Sequence, residues 1–248
     1  MFEAIRGRKV LITGASGGIG TCMALLFAEH GAILGLHYNS GKQAAGLLAR
    51  DVEKLGAQVS LFQADLVEES GEAMVDAFID RFGGIDILVN NAGAVFGFKD
   101  FLELDDKSWE RTFKLNAQTP FFIARRAFSH MKKNGGGRII NISSVAAKYG
   151  GSEKSLHYGA AKAALEAETI GMARAGAKYG ILVNAIRGGF IDTSFHQKLG
   201  SKNIEERVQL IPLKRAGKPE DLAHMVLFLA SEAGDFITGE ILAVTGGD

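Results

Sequence analysis

The residues best suited to chemistry in this sequence are a tyrosine and a lysine four positions apart, Tyr158 and Lys162. On a helix this spacing places both side chains on one face, about one turn apart. A phenol with its ordinary pKa of about 10 exchanges protons poorly near neutrality. A nearby ammonium favours the phenolate and lowers the pKa of the phenol, so the pair is expected to work as an acid or base. The alternative is an ordinary solvated pair on a helix surface.

A serine and a histidine lie close to this pair in the sequence. Ser144 follows an apolar run, and its hydroxyl is expected to hydrogen-bond a substrate oxygen on which negative charge develops. The alternative is that Ser143 and Ser144 only end a strand. His157 precedes Tyr158 but faces about 100° away on a helix, so we interpret it as a structural residue or a pocket wall.

A glycine-rich segment, Thr13 to Gly20, joins the first apolar run to a helical stretch and has the sequence TGASGGIG. Gly14, Gly18 and Gly20 permit a tight turn and bring backbone N–H groups close to a ligand. Such a turn at a helix N-terminus predicts a site for the pyrophosphate of a dinucleotide. The alternative is a glycine-rich turn that serves only packing.

These candidate residues lie at the ends of alternating strand-like and helix-like segments. Seven short, mostly continuous apolar runs are predicted to be strands buried on both faces: 9–13, 32–38, 58–64, 85–89, 138–142, 182–186 and 240–244. Helices are predicted between them: 18–30, 42–55, 69–82, 107–133, 156–179 and 219–231. The alternation predicts an α/β fold: a doubly wound, parallel, seven-stranded sheet of Rossmann type, in one domain over 1–248. Residues 188–203 are the least regular connection and are predicted to be a substrate lid.

Composition excludes several functional classes. The 28 acidic and 28 basic residues balance, without a basic run, so no nucleic-acid partner is expected. The sequence contains no stretch of ~18 apolar residues, so no membrane span is predicted. The N-terminus lacks the pattern of a signal peptide. The one cysteine, Cys22, allows no internal disulfide and fits a reducing cytoplasm, where the protein is expected to act. No metal site is predicted.

Taken in order, the motifs resemble those of the short-chain dehydrogenase/reductase family. They are the TGxxxGxG turn, Asn90-Asn91-Ala92-Gly93 after the fourth strand, Asn116 in the next helix, Ser144 after the fifth strand, and the YxxxK of Tyr158 and Lys162. The resemblance extends from Gly7 to Gly247. It implies an NAD(P)(H)-dependent oxidoreductase that interconverts a carbonyl and an alcohol, with Asn116, Ser144, Tyr158 and Lys162 as the catalytic residues.

The resemblance also implies roles for individual residues. Lys162 would bind the nicotinamide ribose, Asn116 would help order a water that links Lys162 to solvent, and Asp65 would contact the adenine; Asp65 is alternatively a helix N-cap. Asn90 would be a structural residue on the cofactor side. The expected cofactor-binding residues are Gly14, Ser16, Gly17, Gly18, Ile19, Gly20, Tyr38, Asn39, Ser40, Asp65, Leu66, Asn91, Ala92, Gly93, Tyr158, Lys162, Gly189, Ile191 and Thr193.

The segment after the second strand, 37–42, bears on the choice between NAD and NADP. An acid there would accept from the ribose 2′-OH of NAD and repel the 2′-phosphate of NADP. The sequence has none, and Asn39, Ser40 and Lys42 are potential phosphate donors, so NADP(H) is favoured. Two observations weaken this preference: Gly17 stands where the family's NADP enzymes often carry a basic residue, and Lys42 is alternatively a solvated lysine at a helix start.

The sequence departs from the family pattern at two places. Gly188-Gly189 replaces the usual Pro-Gly, which is expected to loosen the start of the lid. Thr245-Gly246-Gly247 replaces a closing Asp-Gly-Gly, with little effect expected on the chemistry.

The substrate is expected to meet a mostly apolar pocket, suited to an acyl chain, a hydrophobic ketone or a ring. Its predicted residues are Ser144, Ala146, Tyr149, Phe190 and Phe195, with Phe96, Phe98, Gly151 and His196 as further candidates. The overall pattern is most similar to bacterial 3-oxoacyl-[acyl-carrier-protein] reductases. An acidic carrier protein would need basic residues beside the pocket, for which Lys132, Lys133 and Lys178 are candidates.

Other functions stay open at this point. The first alternative is an NAD-dependent sugar, polyol or steroid-like alcohol dehydrogenase. The second is a dinucleotide-sensing regulator that has lost catalysis, although such a protein would be expected to lack Ser144 or the Tyr158–Lys162 pair.

Surplus small and aromatic residues on the predicted helices 107–133 and 156–179 favour a homotetramer. The alternative is that the alanines of the second helix only favour its formation.

Overall fold

The computed structural model describes residues 3–193 and 204–248. Seven strands lie in this part of the chain: β1 Lys9–Ile12, β2 Ile33–Tyr38, β3 Val59–Gln63, β4 Ile87–Asn90, β5 Gly137–Ser144, β6 Ile181–Gly188 and β7 Ile241–Val244. They form one parallel sheet in the order β3-β2-β1-β4-β5-β6-β7. The predicted doubly wound sheet is confirmed, and each predicted strand end lies within two residues of the observed one.

Helices cover both faces of the sheet. They are α1 Gly18–Glu29, α2 Lys42–Lys54, α3 Gly71–Phe82, α4 Asp106–Phe113, α5 Thr119–Met131, α6 Ala146–Tyr149, α7 Leu156–Gly176, α8 Ile204–Leu210 and α9 Pro219–Ala230. One buried cluster packs α1, α2 and α9 on the sheet, through residues such as Phe27 and Val226. A second packs α3, α5 and α7 on the opposite face, through residues such as Phe78 and Ile123. Among the residues described, no helix combines the length and apolar character needed to cross a membrane.

The helix predicted over 107–133 is interrupted at its middle. Residues Lys114–Gln118 form a π-helical turn between α4 and α5. A π turn places one extra residue in a helix and changes the direction of the side chains around it, often at functional sites. Asn116 lies in this turn and is completely buried.

The strand order places a crevice at the carboxyl edge of the sheet. The chain extends from β1 to β3 on one side and from β4 to β7 on the other, so the connections after β1 and β4 diverge. Ligands of open α/β sheets bind at such a switch point. The glycine-rich segment follows β1, and Asn91 follows β4, so both lie at this crevice.

Candidate active site

At its closest contacts, the glycine-rich loop between β1 and α1 leaves no room for a side chain. A Cβ on Gly20 would lie 2.5 Å from the carbonyl oxygen of Gly14, and one on Gly14 would lie 2.9 Å from Cα of Ala92. Gly14 also has a φ of +63°, which L side chains rarely adopt. Gly17 is the N-cap of α1 and provides no side-chain cap, so the first N–H groups of α1 stay available to a ligand.

Polar side chains hold this loop against the end of β4. The Thr13 hydroxyl accepts from the N–H groups of Asn91 and Ala92, at 2.9 and 3.0 Å. The Asn91 side-chain amide donates to the carbonyl oxygens of Thr13 and Gly14, at 2.9 and 3.1 Å. Asn90 lies deeper, where its amide donates to Asn141 at 2.9 Å. Asn91 therefore fixes the shape of the loop, and Asn90 joins β4 to β5.

His37, near the end of β2, completes the loop and was missed as a site residue by the sequence analysis. Its Nδ1 lies 2.9 Å from the backbone nitrogen of Gly14, and its Nε2 lies 3.0 Å from the carbonyl oxygen of Ala64. The first contact makes Nδ1 an acceptor, so Nε2 carries the proton and donates to Ala64. Burial lowers the pKa of His37, which matches a neutral ring in this position.

The connection after β2 corrects one predicted cofactor residue. Tyr38 is 6% exposed and does not line the crevice, because it is still part of the buried strand β2. Asn39 and Ser40 follow it and do line the crevice. Asp65 also lines it but is not an N-cap: its carboxylate accepts from the N–H of Val67, whereas α3 begins six residues later at Gly71.

The catalytic candidates meet where β5 ends beside α7. Ser144 is the last residue of β5, and its hydroxyl hydrogen-bonds the Tyr158 hydroxyl. Lys162 lies one turn further along α7, with Nζ 5.7 Å from the centre of the Tyr158 ring. That Nζ donates to the carbonyl oxygen of Ile142 at 2.8 Å. The predicted arrangement of Tyr158 and Lys162 on one face of α7 is therefore observed. Ser144, at the end of β5, completes the group.

Burial changes the acid–base properties expected of this group. It raises the pKa of Tyr158 to about 12, which the Ser144 hydrogen bond offsets only in part, and it lowers the pKa of Lys162 to about 8. The expected lowering of the pKa of the phenol is therefore wrong: its net pKa lies above the ordinary value. Loss of hydration penalises the phenolate more than its neighbours stabilise it. The Tyr158 phenol is therefore protonated at physiological pH.

Asn116 lies buried just behind the wall of the crevice. Its side-chain amide donates to the carbonyl oxygens of Ala94 and Thr112, at 2.7 and 2.8 Å. Its Oδ1 is buried without a hydrogen-bond partner in the structure. A Cβ on Gly93 would lie 2.8 Å from this oxygen and 3.4 Å from Lys162 Nζ. The absence of a side chain at Gly93 therefore leaves one polar recess beside both residues.

The crevice is a cavity of about 1610 Å³ along the carboxyl edge of the sheet. Most of the predicted site residues line it: Gly14, Ser16, Gly17, Gly18, Ile19, Gly20, Asn39, Ser40, Asp65, Leu66, Asn91, Ala92, Gly93, Phe96, Phe98, Ser144, Ala146, Tyr149, Gly151, Tyr158, Lys162, Gly189, Phe190, Ile191 and Thr193. Phe195 and His196 lie outside the described residues. Arg111 and Arg207, which the sequence analysis did not select, also line it.

Two further expectations about the surroundings of the cavity are wrong. The Gly188-Gly189 pair was expected to loosen the start of the lid, but Phe190 is 8% exposed and the neighbouring Ile191 forms a β-bridge with Gly217, so this start is packed. The basic residues Lys132, Lys133 and Lys178 follow the C-terminal ends of α5 and α7, at the amino edge of the sheet. Helices of a parallel sheet return to that edge, so none of the three lysines lines the cavity.

Comparison with known proteins shows which family this chain belongs to. The family model described as enoyl-(acyl carrier protein) reductase matches residues 14–248. A 3-oxoacyl-[acyl-carrier-protein] reductase of Thermotoga maritima is 33% identical over 246 residues, which cover 98% of both chains. The chain belongs to the short-chain dehydrogenase/reductase family. It is therefore an oxidoreductase that acts on alcohol or ketone groups with a nicotinamide cofactor.

Other relatives in the family differ in substrate. L-rhamnose 1-dehydrogenase (NAD(P)(+)) of a Sphingomonas species is 34% identical over 250 residues, covering 99% of this chain and 98% of the relative. Among solved structures, a blue fluorescent protein from a metagenomic library, in complex with NADPH, has a TM-score of 0.92 at 35% identity and covers 98% of both chains. Acetoin dehydrogenase from Salmonella typhimurium has a TM-score of 0.88 at 33% identity, covering 97% and 95%.

The residues of this short-chain dehydrogenase/reductase fit a dinucleotide. The open N-terminus of α1 suits a pyrophosphate, the recess beside Gly93 offers Lys162 Nζ and the unpartnered Asn116 Oδ1, and Ser144 and Tyr158 offer hydroxyl donors at the far end. When bound, the nicotinamide supplies or accepts a hydride. Within residues 3–193 and 204–248, no group of three or more histidine, cysteine or acidic side chains could hold a metal ion.

Proposed function

We propose that the protein reduces an apolar ketone to a secondary alcohol with NADPH, using Tyr158 as the proton donor. The observation that carries the proposal is the contact between the Ser144 and Tyr158 hydroxyls, with Lys162 beside them, on the wall of a cavity that also includes the glycine loop. Two neutral hydroxyls at one point suit a carbonyl oxygen that gains negative charge.

The chain's own groups divide this work. Ser144 donates a hydrogen bond to the carbonyl oxygen and orients it. Tyr158 transfers its proton to the same oxygen as the carbonyl carbon is reduced. Because burial raises the pKa of Tyr158 to about 12, the phenol carries that proton throughout the physiological range and has it available to donate in reduction. Lys162 would hold the nicotinamide ribose, and Asn116 would order a water behind it.

Preference for NADP(H) over NAD(H) is supported by the connection after β2. Asn39 and Ser40 line the cavity with neutral polar groups, and no acid stands among residues 37–42. Gly41, the N-cap of α2, contributes no side-chain cap, so the start of α2 is a second helix N-terminus near the same place. The Ser16 hydroxyl would lie 3.4 Å from a Cβ on Gly41, so the glycine loop adjoins this position.

A 3-oxoacyl thioester is the substrate class we propose. The substrate end of the cavity includes Phe96, Phe98, Leu115, Tyr149 and Phe190, and such an apolar wall suits an acyl chain better than a sugar. Since the candidate lysines lie at the opposite edge, a carrier protein would instead meet Lys154 and Arg207 at the cavity. A sugar or polyol dehydrogenase, as in the rhamnose-specific relative, is the alternative.

The experiment that tests this function follows NADPH and NADH oxidation with a panel of carbonyls. We expect oxidation of NADPH with acetoacetyl thioesters and with an apolar cyclic ketone, and much less with NADH. Oxidation of L-rhamnose or a polyol with NAD⁺, at rates above those of ketone reduction, would contradict the proposal. If no substrate supported turnover while NADPH still bound, that result would favour the alternative of a dinucleotide-sensing regulator.

We further propose that residues 188–203 form a lid over the bound substrate. Its described residues that line the cavity are Gly188, Gly189, Phe190, Ile191 and Thr193, and Thr193 Cγ2 would lie 3.3 Å from a Cβ on Gly18. Residues 194–203 lie outside the described residues. A lid should gain hydrogen-exchange protection when NADP is added, beyond residue 193 as well as before it. Unchanged protection across 188–203 would contradict the lid.

A homotetramer acting in the cytoplasm completes the proposal. Trp109 on α4 and Ile170 on α7 are 40% and 38% exposed, and β7 is an edge strand of the sheet, so two separate surfaces are available for self-association. Two different two-fold interfaces generate D₂ symmetry. Light scattering should give four times the 26.4 kDa chain mass. A monomer mass would contradict both interfaces, and a stable dimer would leave one.

A further inference from the structure

A buried carboxylate, Glu166, lies one helical turn beyond Lys162 on α7. Its side chain is 11% exposed and forms an ion pair with Arg187 on β6. The Arg187 Nε and Nη2 donate to the two carboxylate oxygens at 3.0 and 2.6 Å, a fork geometry that fixes both groups. The proposed mechanism assigns no role to either residue.

The pair is joined to the catalytic strand as well as to the catalytic helix. The hydroxyl of Ser143, the neighbour of Ser144, donates to Glu166 at 2.7 Å. Ser143 and Arg187 are register partners in the sheet, and Arg187 directly precedes Gly188, the last residue of β6, and Gly189 at the cavity wall. Glu166 therefore links α7, the end of β5 and the end of β6, the three elements that position Lys162, Ser144 and the cavity wall at Gly189.

We propose that Glu166 and Arg187 are positioning residues that act through Lys162: their opposite charges set the electrostatic environment of its ammonium. The proposal concerns the lysine itself, so it rests on the proposed function only in treating that ammonium as the group that holds the ribose.

The charge surroundings of Lys162 support this role. Burial lowers the pKa of Lys162, and the Glu166 carboxylate raises it again in part, leaving a value of about 8. Charged and titratable side chains on α7 and on the elements that pack against it include Tyr158, Glu166, Glu168, His157, Arg187, Glu110, Arg111, Lys114, Lys148 and Tyr149. Tyr158, with a pKa of about 12, stays neutral while Lys162 titrates. Among these groups, Glu166 is the acid whose charge raises the pKa of Lys162.

The test follows the titration of Lys162 directly in the folded chain without cofactor. Lysines are labelled with ¹³C at Cε, the Lys162 signal is assigned by its loss in Lys162→Arg, and its chemical shift is measured between pH 6 and 10.5. Because Glu166 lies one helical turn from Lys162 and a nearby opposite charge moves a pKa by about one unit or more, Glu166→Gln should shift the midpoint downward by about one pH unit. Arg187→Gln leaves the carboxylate unpaired and should shift it upward.

The controls separate charge from packing. The double variant Glu166→Gln/Arg187→Gln should return the midpoint towards the wild-type value, and it keeps the proposal testable where a single variant does not fold. Asp76→Asn breaks a more exposed ion pair, with Arg126 at 2.5 Å between α3 and α5, and should leave the midpoint unchanged. Shifts of the two single variants in the same direction, or no larger than that of Asp76→Asn, would overturn the proposal. The affinity for NADPH, measured over the same pH range, reports separately on whether the ammonium holds the cofactor.

Discussion

The two ends of the cavity are built from different parts of the chain. The cofactor end is made of backbone: at Gly14 and Gly20 an added Cβ would meet main-chain atoms at 2.9 and 2.5 Å, and His37 and Asn91 hydrogen-bond the loop's own peptide groups. The catalytic end is made of side chains, whose hydroxyl and ammonium groups meet from β5 and α7.

This difference separates two kinds of sensitivity. Adding atoms should damage the cofactor end, because its shape is fixed by close main-chain contacts. Removing a polar group should damage the catalytic end, because in the proposed mechanism its groups act on the reacting oxygen, whereas binding depends mostly on the loop. Binding and turnover are therefore expected to respond to different substitutions.

The largest separation is expected for Ser144→Ala. Loss of one hydrogen-bond donor to a developing oxyanion lowers kcat roughly 100- to 1,000-fold, whereas the affinity for NADPH should change less than about twofold. Steady-state rates and fluorescence titrations of NADPH measure the two effects. Ser60→Ala, which removes a hydroxyl from β3, is the control. Equal losses of binding and turnover would mean that the two ends are not independent.

The opposite pattern is expected for Gly20→Ala. Since the added methyl overlaps the Gly14 carbonyl, overpacking should cost about 1–3 kcal/mol in stability and distort the loop, so NADPH binding should weaken together with folding. Gly46→Ala in α2 is the matched control, because nothing lies within 4 Å of its Cβ and alanine favours a helix. Thermal unfolding with and without NADPH gives both readouts. Normal NADPH binding by Gly20→Ala would contradict the steric account of the loop.

A smaller effect is expected where the cofactor end does use side chains. Asn39→Asp places a carboxylate on the cavity wall after β2, and repulsion of a 2′-phosphate should shift the ratio of NADPH to NADH affinity by about tenfold or more. Gln43→Glu adds the same charge on α2, outside the cavity wall, and should leave the ratio nearly unchanged. Tighter binding of NADH than of NADPH by the unmodified protein would overturn the proposed preference.

The smallest effect is a pH dependence of stability that comes from His37. Its pKa is lowered in the folded protein, so below about pH 6.5 the unfolded chain takes up a proton that the folded chain excludes. The contribution is complete above that pH and is lost as the pH falls towards the folded pKa. His37→Gln should flatten the decline of the free energy of unfolding between pH 6.5 and 5, whereas His224→Gln, at an exposed position of α9, should not. An unchanged decline would exclude His37 as its source.

The sequence predicted the sheet well because buried parallel strands appear as continuous apolar runs. The same property hid the orientation of Tyr38: all residues of β2 after the first are buried, so no alternation shows which side chain faces the cofactor. The π turn at Asn116 was also missed, since one extra residue in a helix leaves no local pattern.

The chemical errors have physical causes as well. The pKa of Tyr158 depends on its burial, which the spacing to Lys162 does not report. In the sequence, His37 looks like one more residue of an apolar strand. Its role becomes visible only in the fold, where its Nδ1 lies beside the backbone nitrogen of Gly14. The prediction that Lys132, Lys133 and Lys178 lie beside the pocket also fails for a topological reason. In a parallel sheet, helices α5 and α7 end at the amino edge, opposite the cavity.

The most direct test of the central claim is a paired measurement on Tyr158→Phe. The variant keeps the ring and loses only the hydroxyl that contacts Ser144, so kcat with NADPH and an accepted ketone should fall by about 100-fold or more, as expected for loss of a general acid. The affinity for NADPH should stay within about twofold of the wild type. A variant that kept more than about a tenth of the wild-type kcat would show that Tyr158 is not the proton donor.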